Sequence, residues 1–213
     1  MEYTFFVPTV KEAAAIFGSG KITERDGFLY LIDTPHTVVI AGFGKVNAAV
    51  TLTKYLYKNL SYGMPVLMGI AGAYREAGLT TGDIVMIKND YFVDEALLTD
   101  DAIKGTDELG FPVCDSNKTE FCTPFRLPLC DANTVSLLSG TDYLAQLYQN
   151  KTGAAIESME GAAFALAAAS FGIKTAQVRA VSNYCGARKN QDWNAGKALT
   201  ALRNFIVTLS HNR

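Results

Sequence analysis

The sequence predicts an α/β fold of a single domain, residues 1–213, in which a central sheet is covered by helices on both faces in three layers. Two observations predict it. Apolar runs of strand length alternate along the chain with stretches whose apolar residues recur at helical spacing, and that alternation is the pattern of a sheet wrapped by helices. The length of 213 residues suits one domain, and no Pro/Ser-rich linker, internal repeat or low-complexity tract divides it.

The elements follow in order. Residues 3–8 (YTFFVP), aromatic and apolar, read as a buried strand closed by Pro8 and feeding a helix over 10–17 (VKEAAAIF). Residues 27–33 and 37–44 read as two further strands around the turn Asp33-Thr34-Pro35-His36, and 45–60 carry apolar residues at helical spacing. Next come a strand over 66–72, a glycine-marked turn at 79–83 and a strand over 84–89. From 90 to 135 the periodicity fades among mixed charges and Pro112, Pro124 and Pro128, which predicts a long, partly irregular excursion. Order returns with an Ala-rich helix over 159–171, a strand over 175–183, a loop over 184–193 and a closing helix over 194–209.

Composition narrows the partners. With 49% hydrophobic and 19% charged residues the chain suits a compact soluble protein, and a net charge of −2 supplies no basic field for nucleic acid. Met1-Glu2-Tyr3-Thr4 lacks the basic start of a signal peptide, and no apolar run reaches the roughly 18 residues of a membrane span. A cytoplasmic protein with neither nucleic acid nor membrane as partner is therefore expected. Cys114, Cys122, Cys130 and Cys185 form no CxxC pair and His36 lies far from His211 in sequence, so neither a metal site nor a cofactor is expected. The eight-residue spacing of the first three cysteines leaves a disulfide framework as the lesser alternative to free thiols.

Four places carry candidate chemistry: Glu12 just after the first strand, the glycine pairs Gly42/Gly44 and Gly69/Gly72, Glu160, and the strand end Arg179 to Asn183. In an open α/β sheet ligands gather at the carboxyl ends of strands, where each of these falls. Each also has a plain reading. Glu12 can be a solvated helix acid, a GxG after a strand is a common tight turn, and Arg179 on an apolar strand can close an internal salt bridge. Gly42-Phe43-Gly44-Lys45 lacks the third glycine and the later acid of a dinucleotide fingerprint. Glu157 and Glu160 stand together at the mouth of the Ala-rich helix, where an acid in the first turn meets the partial positive charge of the helix N-terminus.

Taken together and in this order, the chain resembles the purine nucleoside phosphorylase and nucleosidase superfamily: Glu12 after a short strand, GFGKVNAA (42–49), GIAGA (69–73), LTTGDIV (79–85), SMEGAA (158–163) and VRAVSN (178–183). Within it the nearer resemblance is to the futalosine hydrolase branch, through GIAGA, DELGF (107–111), TPF (123–125), NYCGARKNQDWN (183–194) and an Asn where adenosine-type nucleosidases carry Asp. The resemblance implies a central mixed, partly barrel-like sheet, a small-molecule nucleoside substrate, and a homo-oligomer whose subunits complete one another's pockets. It implies Glu12 as general base toward water, Glu160 as acceptor of the ribose hydroxyl protons, Met159 as floor under the ribose, Arg179 as the residue ordering Glu12 and the water, and Asn183 at the leaving base. Ile70, Ala71, Gly72 and Ser182 fall within the matching motifs as substrate-binding positions. Gly161 and the alanines after it would let the helix start pack close to the sugar, while Glu157 reads as a helix-dipole acid or surface ion pair. One departure stands out: the adenosine-type enzymes carry serine at the position of Ile70, near the water. Two rivals stand within the family: a methylthioadenosine/adenosylhomocysteine-type nucleosidase, and a phosphorolytic enzyme, the latter disfavoured because the glycine turn offers only Lys45 and no arginine lies between Arg25 and Arg75. A nucleoside-binding protein without turnover is the rival outside it.

Overall fold

The computed structural model describes residues 2–58, 63–100 and 102–211. The chain opens with β1 (Tyr3–Val7) and α1 (Val10–Phe17), the latter capped at its N-terminus by Thr9. A hairpin follows, β2 (Ile22–Arg25) and β3 (Phe28–Leu31), antiparallel across Asp26-Gly27 with φ of 54° and 77°. The Asp-Gly pair is a hairpin signal that the periodicity reading passed over, so the strand expected over 27–33 is shorter and has a partner. Then come β4 (Thr37–Ile40), α2 (Gly44–Lys58) and β5 (Met64–Ala73). The expected helix end at residues 59 and 60 lies outside the described residues.

β6 (Ile84–Phe92) leads into the stretch expected to be irregular, which in fact holds the two-stranded β7 (Ala96–Leu98) and β8 (Ile103–Gly105), then β9 (Lys118–Glu120) and β10 (Leu129–Thr134). β10 escaped the sequence because its Asp131, Asn133 and Thr134 break the apolar pattern. Each is satisfied inside the fold, by Asn89, by Tyr74 and Thr152, and by Asp90. α3 (Asp142–Thr152) occupies a segment to which periodicity assigned nothing; Thr141 caps its start and Gly153, left-handed at φ 72°, ends it. The chain closes with β11 (Ile156–Ser158), α4 (Gly161–Ala169), β12 (Ala176–Tyr184) and α5 (Ala195–His211).

The strands form one mixed sheet in the order β11-β10-β6-β12-β5-β1-β4-β3-β2, with β9 on β6, and β11 turns back to pair with β5. That return contact closes β11-β10-β6-β12-β5 into a small barrel, with β1, β4, β3 and β2 as an open wing. Both faces of the wing and barrel are covered. Along β1, Phe6 packs with Leu52 and Tyr55 of α2 and Phe164 of α4, while Phe5 and Val7 point the other way to Ile16 of α1 and Leu202 of α5. Two covered faces explain why the central strands are apolar throughout rather than alternating. β4, β1, β5 and β12 run parallel, so their carboxyl ends emerge along one edge.

Candidate active site

At that edge lies a cleft of about 380 Å³. The nine residues that the resemblance implies as catalytic or substrate-binding line it: Glu12, Ile70, Ala71, Gly72, Met159, Glu160, Arg179, Ser182 and Asn183; of the glycine pairs only Gly72 does. They come from four separate parts of the chain, and only strand pairing brings them together.

Glu12 is the third residue of α1. Its backbone N–H donates to Thr9 Oγ1 at 3.2 Å, and that hydroxyl donates back to Glu12 Oε2 at 2.7 Å. The cap thereby fixes the side chain toward the cleft instead of toward solvent. The T-V-K-E spacing of residues 9–12 is the sequence signal for this cap. Glu12 Oε1 accepts from the Ile70 N–H at 3.3 Å. Burial raises the Glu12 pKa; the Thr9 hydroxyl, the Arg179 charge and the Ile70 N–H offset part of the rise.

Gly69 and Gly72 lie within β5 and not in a turn. A Cβ on Gly69 would stand 2.8 Å from Arg179 Nη1 and 3.2 Å from Glu12 Oε1, so the bare backbone is what lets both side chains lie across the strand. Gly42 and Gly44, by contrast, do make the turn before α2, both at φ 86°. The Gly44 N–H donates to Glu160 Oε1 at 3.0 Å.

Arg179, 1% exposed, spends its guanidinium on three neighbours. Nη2 pairs with Glu160 Oε2 at 3.1 Å, Nη1 donates to Ile70 O at 3.3 Å, and Nε donates to Gln177 Oε1 at 2.9 Å. Its direct ionic partner is thus Glu160, while Glu12 feels it through the Ile70 peptide and through its field. Gln177 Nε2 in turn donates to Asp90 Oδ2 at 2.8 Å, and Thr134 Oγ1 donates to Asp90 Oδ1 at 2.7 Å. Asp90 is fully buried, and that burial lifts its carboxyl to about 6.

The helix start differs from expectation in three ways. Glu157 and Ser158 belong to β11, and α4 begins only at Gly161, so neither acid sits in a first helical turn. Glu160, at the N-cap position, makes no side-chain cap hydrogen bond and turns back to Gly44 and Arg179. Gly161 does not make room for a ligand: a Cβ there would collide with the Asp90 carboxylate and stand 2.5 Å from the Gln177 amide. Glu157 is neither a surface acid nor a dipole acid, being 3% exposed and lining the inner cleft, because pairing with β5 carries it inward. The Ser139 N–H and the Ser139 and Tyr74 hydroxyls donate to it. No local spacing announces these partners.

Asn183 closes the far end. Ser182 Oγ lies 2.8 Å from its Oδ1 and 3.1 Å from Ala71 O, and Asn183 Nδ2 donates to Tyr184 O at 3.0 Å. The strand-end contact with Tyr184 is real, and the side chain nonetheless lines the cleft. Among the described residues no group of three or more His, Cys, Asp or Glu is placed to hold a metal ion, and no helix is long and apolar enough to cross a membrane.

Known proteins resemble the whole chain. The family model described as the Phosphorylase superfamily matches residues 17–210. A futalosine hydrolase of Thermus thermophilus is 32% identical over 197 residues, covering 86% of this chain and 81% of the relative. A 5'-methylthioadenosine/S-adenosylhomocysteine nucleosidase of Mycobacterium bovis is 32% identical over 192 residues, covering 75% and 74%. Among solved structures, the futalosine hydrolase of Helicobacter pylori superposes with a TM-score of 0.78 at 16% identity, covering 100% of this chain and 98% of that one, and so speaks for the fold.

Proposed function

The chain belongs to the Phosphorylase superfamily, and from that premise we propose that it is a nucleosidase that hydrolyses the N-glycosidic bond of futalosine, releasing hypoxanthine and dehypoxanthine futalosine in the alternative menaquinone pathway. The observation that carries this is the convergence of Glu12, Glu160, Arg179 and Asn183 on one cleft.

Cleavage of a ribosidic C–N bond passes through an oxocarbenium-like state, and each stage has a candidate group. Glu12, its pKa raised, takes a proton from water as the water attacks the anomeric carbon. Glu160, held on one oxygen by Gly44 and on the other by Arg179, receives the ribose hydroxyl protons over the apolar Met159. Asn183 faces the departing base. Ile70 contributes its peptide: its N–H holds Glu12 and its C=O holds Arg179, contacts that do not depend on which side chain stands at position 70.

Water rather than phosphate is the favoured nucleophile. The one cation of the glycine turn, Lys45, is bound by Asp94 and Glu95, and Arg179 is bound by Glu160, which leaves Arg188 as the one further cation among the described lining residues, fewer than the several groups a phosphate dianion calls for. The exposed apolar stripe Phe43, Val46, Val50 and Tyr57 along and before α2 supports a homo-oligomer. A methylthioadenosine-type nucleosidase is the second reading, favoured by the mycobacterial relative. Incubation with futalosine, inosine and methylthioadenosine, with and without phosphate, tests the proposal. Hypoxanthine from futalosine and a free sugar product are expected; adenine as the main product, or a sugar phosphate, would overturn it.

A further inference from the structure

We propose that Glu157 is a specificity-determining residue, its carboxylate accepting a hydrogen bond from N1–H of a 6-oxopurine leaving base while Asn183 Nδ2 donates to the adjoining oxygen or ring nitrogen. The proposal deepens the nucleosidase reading above and rests on it.

Three observations carry it. First, Glu157 and Asn183 flank the same residue from opposite sides: β11 places Glu157 across from Gly72 in antiparallel register, and β12 places Asn183 across from Gly72 in parallel register. The point where a Gly72 Cβ would stand is 3.2 Å from Asn183 Nδ2 and 3.7 Å from Glu157 Cγ. Cys185 Sγ is nearer still, at 2.9 Å from that point, and with no side chain on Gly72 both Glu157 and Asn183 line the cleft, Asn183 Nδ2 keeping one N–H beyond the one it donates to Tyr184 O.

Second, Glu157 is a buried acid whose partners are all neutral. Oε1 accepts from the Ser139 N–H at 2.9 Å; Oε2 accepts from Ser139 Oγ at 2.6 Å and from Tyr74 OH at 3.2 Å. Among the described residues no Lys, Arg or His pairs with it, in contrast to Glu160 a few residues on, which has Arg179. A buried carboxyl without a cation is costly, and a Gln would satisfy most of the same donors at lower cost. What a carboxylate adds is acceptor-only character on both oxygens. The remaining neighbour, the Cys185 thiol, is a weak donor that a ring N–H can displace.

Third, the pairing is selective. A 6-oxopurine presents N1–H beside an oxo acceptor, complementary to carboxylate and amide. A 6-aminopurine presents a bare N1 lone pair toward the carboxylate, a like-for-like clash. Asn183 alone discriminates weakly, since a flipped amide accepts from an amino group; a carboxylate has no such alternative while ionised.

The test uses futalosine, its 6-amino counterpart and its N1-methyl derivative with the wild type and Glu157→Gln, following free base. The wild type is expected to favour futalosine over both analogues by ~10²-fold or more in kcat/KM. Glu157→Gln, whose amide donates to N1, should move the 6-oxo to 6-amino ratio by about tenfold or more toward the amino substrate. An unchanged ratio, with both substrates slowed alike, is the signature of a purely structural Glu157 and overturns the proposal. If Glu157→Gln does not fold, the wild type decides: equal cleavage of futalosine and its N1-methyl derivative overturns the proposal, and strong loss on methylation upholds it. Release of base from none of the three overturns the nucleosidase reading, and this inference with it.

Discussion

Arg179 Nη2 lies 3.1 Å from Glu160 Oε2, with both side chains almost wholly buried, and the Gly44 N–H holds the other oxygen of the same carboxylate at 3.0 Å. Glu160 is therefore set in place before any sugar arrives. Glu160→Ala strips the partner from a buried guanidinium, a change that costs ~3–5 kcal/mol. We expect a lowered Tm together with a loss in both ribose binding and turnover, because contacts to the hydroxyls tighten in the transition state. A 2′-deoxy substrate cleaved as fast as its parent by the wild type would remove Glu160 from that role.

Glu12→Gln should retain the fold and nucleoside binding and lose hydrolysis by ~10²-fold or more, since an amide cannot take a proton from water. The pH profile offers a second check. A base works only when ionised, and burial raises the pKa of Glu12, so the wild-type rate should fall on acidification at a pH above the ordinary carboxylate range. Turnover that persists undiminished into that ordinary range would contradict the assignment.

Asp90 links stability to pH with an unusual sign. Its carboxyl rises from 3.8 to about 6 on folding, chiefly through burial. The folded state then holds a proton that the unfolded state has released between about pH 4 and 6, so this group's contribution falls as pH rises through that window and roughly 3 kcal/mol is withheld above it. Asp90→Asn removes the dependence. The variant's stability relative to the wild type, measured by denaturant unfolding, should be higher at about pH 7.5 than at about pH 4.5; a difference that does not change with pH would show that Asp90 does not titrate as described.

Gly161→Ala pits propensity against packing. Alanine in place of glycine favours a helix by about 1 kcal/mol, yet here the added methyl meets the buried Asp90 carboxylate and the Gln177 amide. Overpacking of a closed interior typically costs ~1–3 kcal/mol. A lower Tm is expected, with reduced turnover because Gln177 steadies Arg179. A rise in Tm would mean the Asp90–Gln177 contact yields without cost.

Asn183→Asp should shift the ratio of kcat/KM toward 6-amino nucleosides, since an ionised carboxylate accepts from an exocyclic amine and cannot donate to an oxo group. Paired measurements on futalosine and its 6-amino counterpart decide it; equal ratios in both proteins would show that Asn183 serves only Ser182 and Tyr184.

What the sequence by itself determined was local. The apolar runs from Tyr3 and Val66 and through VRAVSN made strands; the spacing of VKEAAAIF made a helix; and Glu12, Ile70, Glu160, Arg179 and Asn183 were recognisable through the short stretches that resemble the superfamily, which lie in or beside such runs. These signals survive because side-chain direction repeats every two residues in a strand and every 3.6 in a helix, whatever lies across from them. Partnership was decided only by the tertiary structure. Asp90 and Gln177 are 87 positions apart, Gly44 and Glu160 are 116, and Glu157 meets Tyr74 across 83. The return of β11 onto β5 turned Glu157 from an apparent surface acid into a buried wall of the cleft, and the closeness of Asp90, rather than of a sugar, is what requires glycine at 161. Hydrogen bonds and close packing act over a few ångströms between groups distant in sequence, so no spacing along the chain encodes them. They exist only once the barrel has closed.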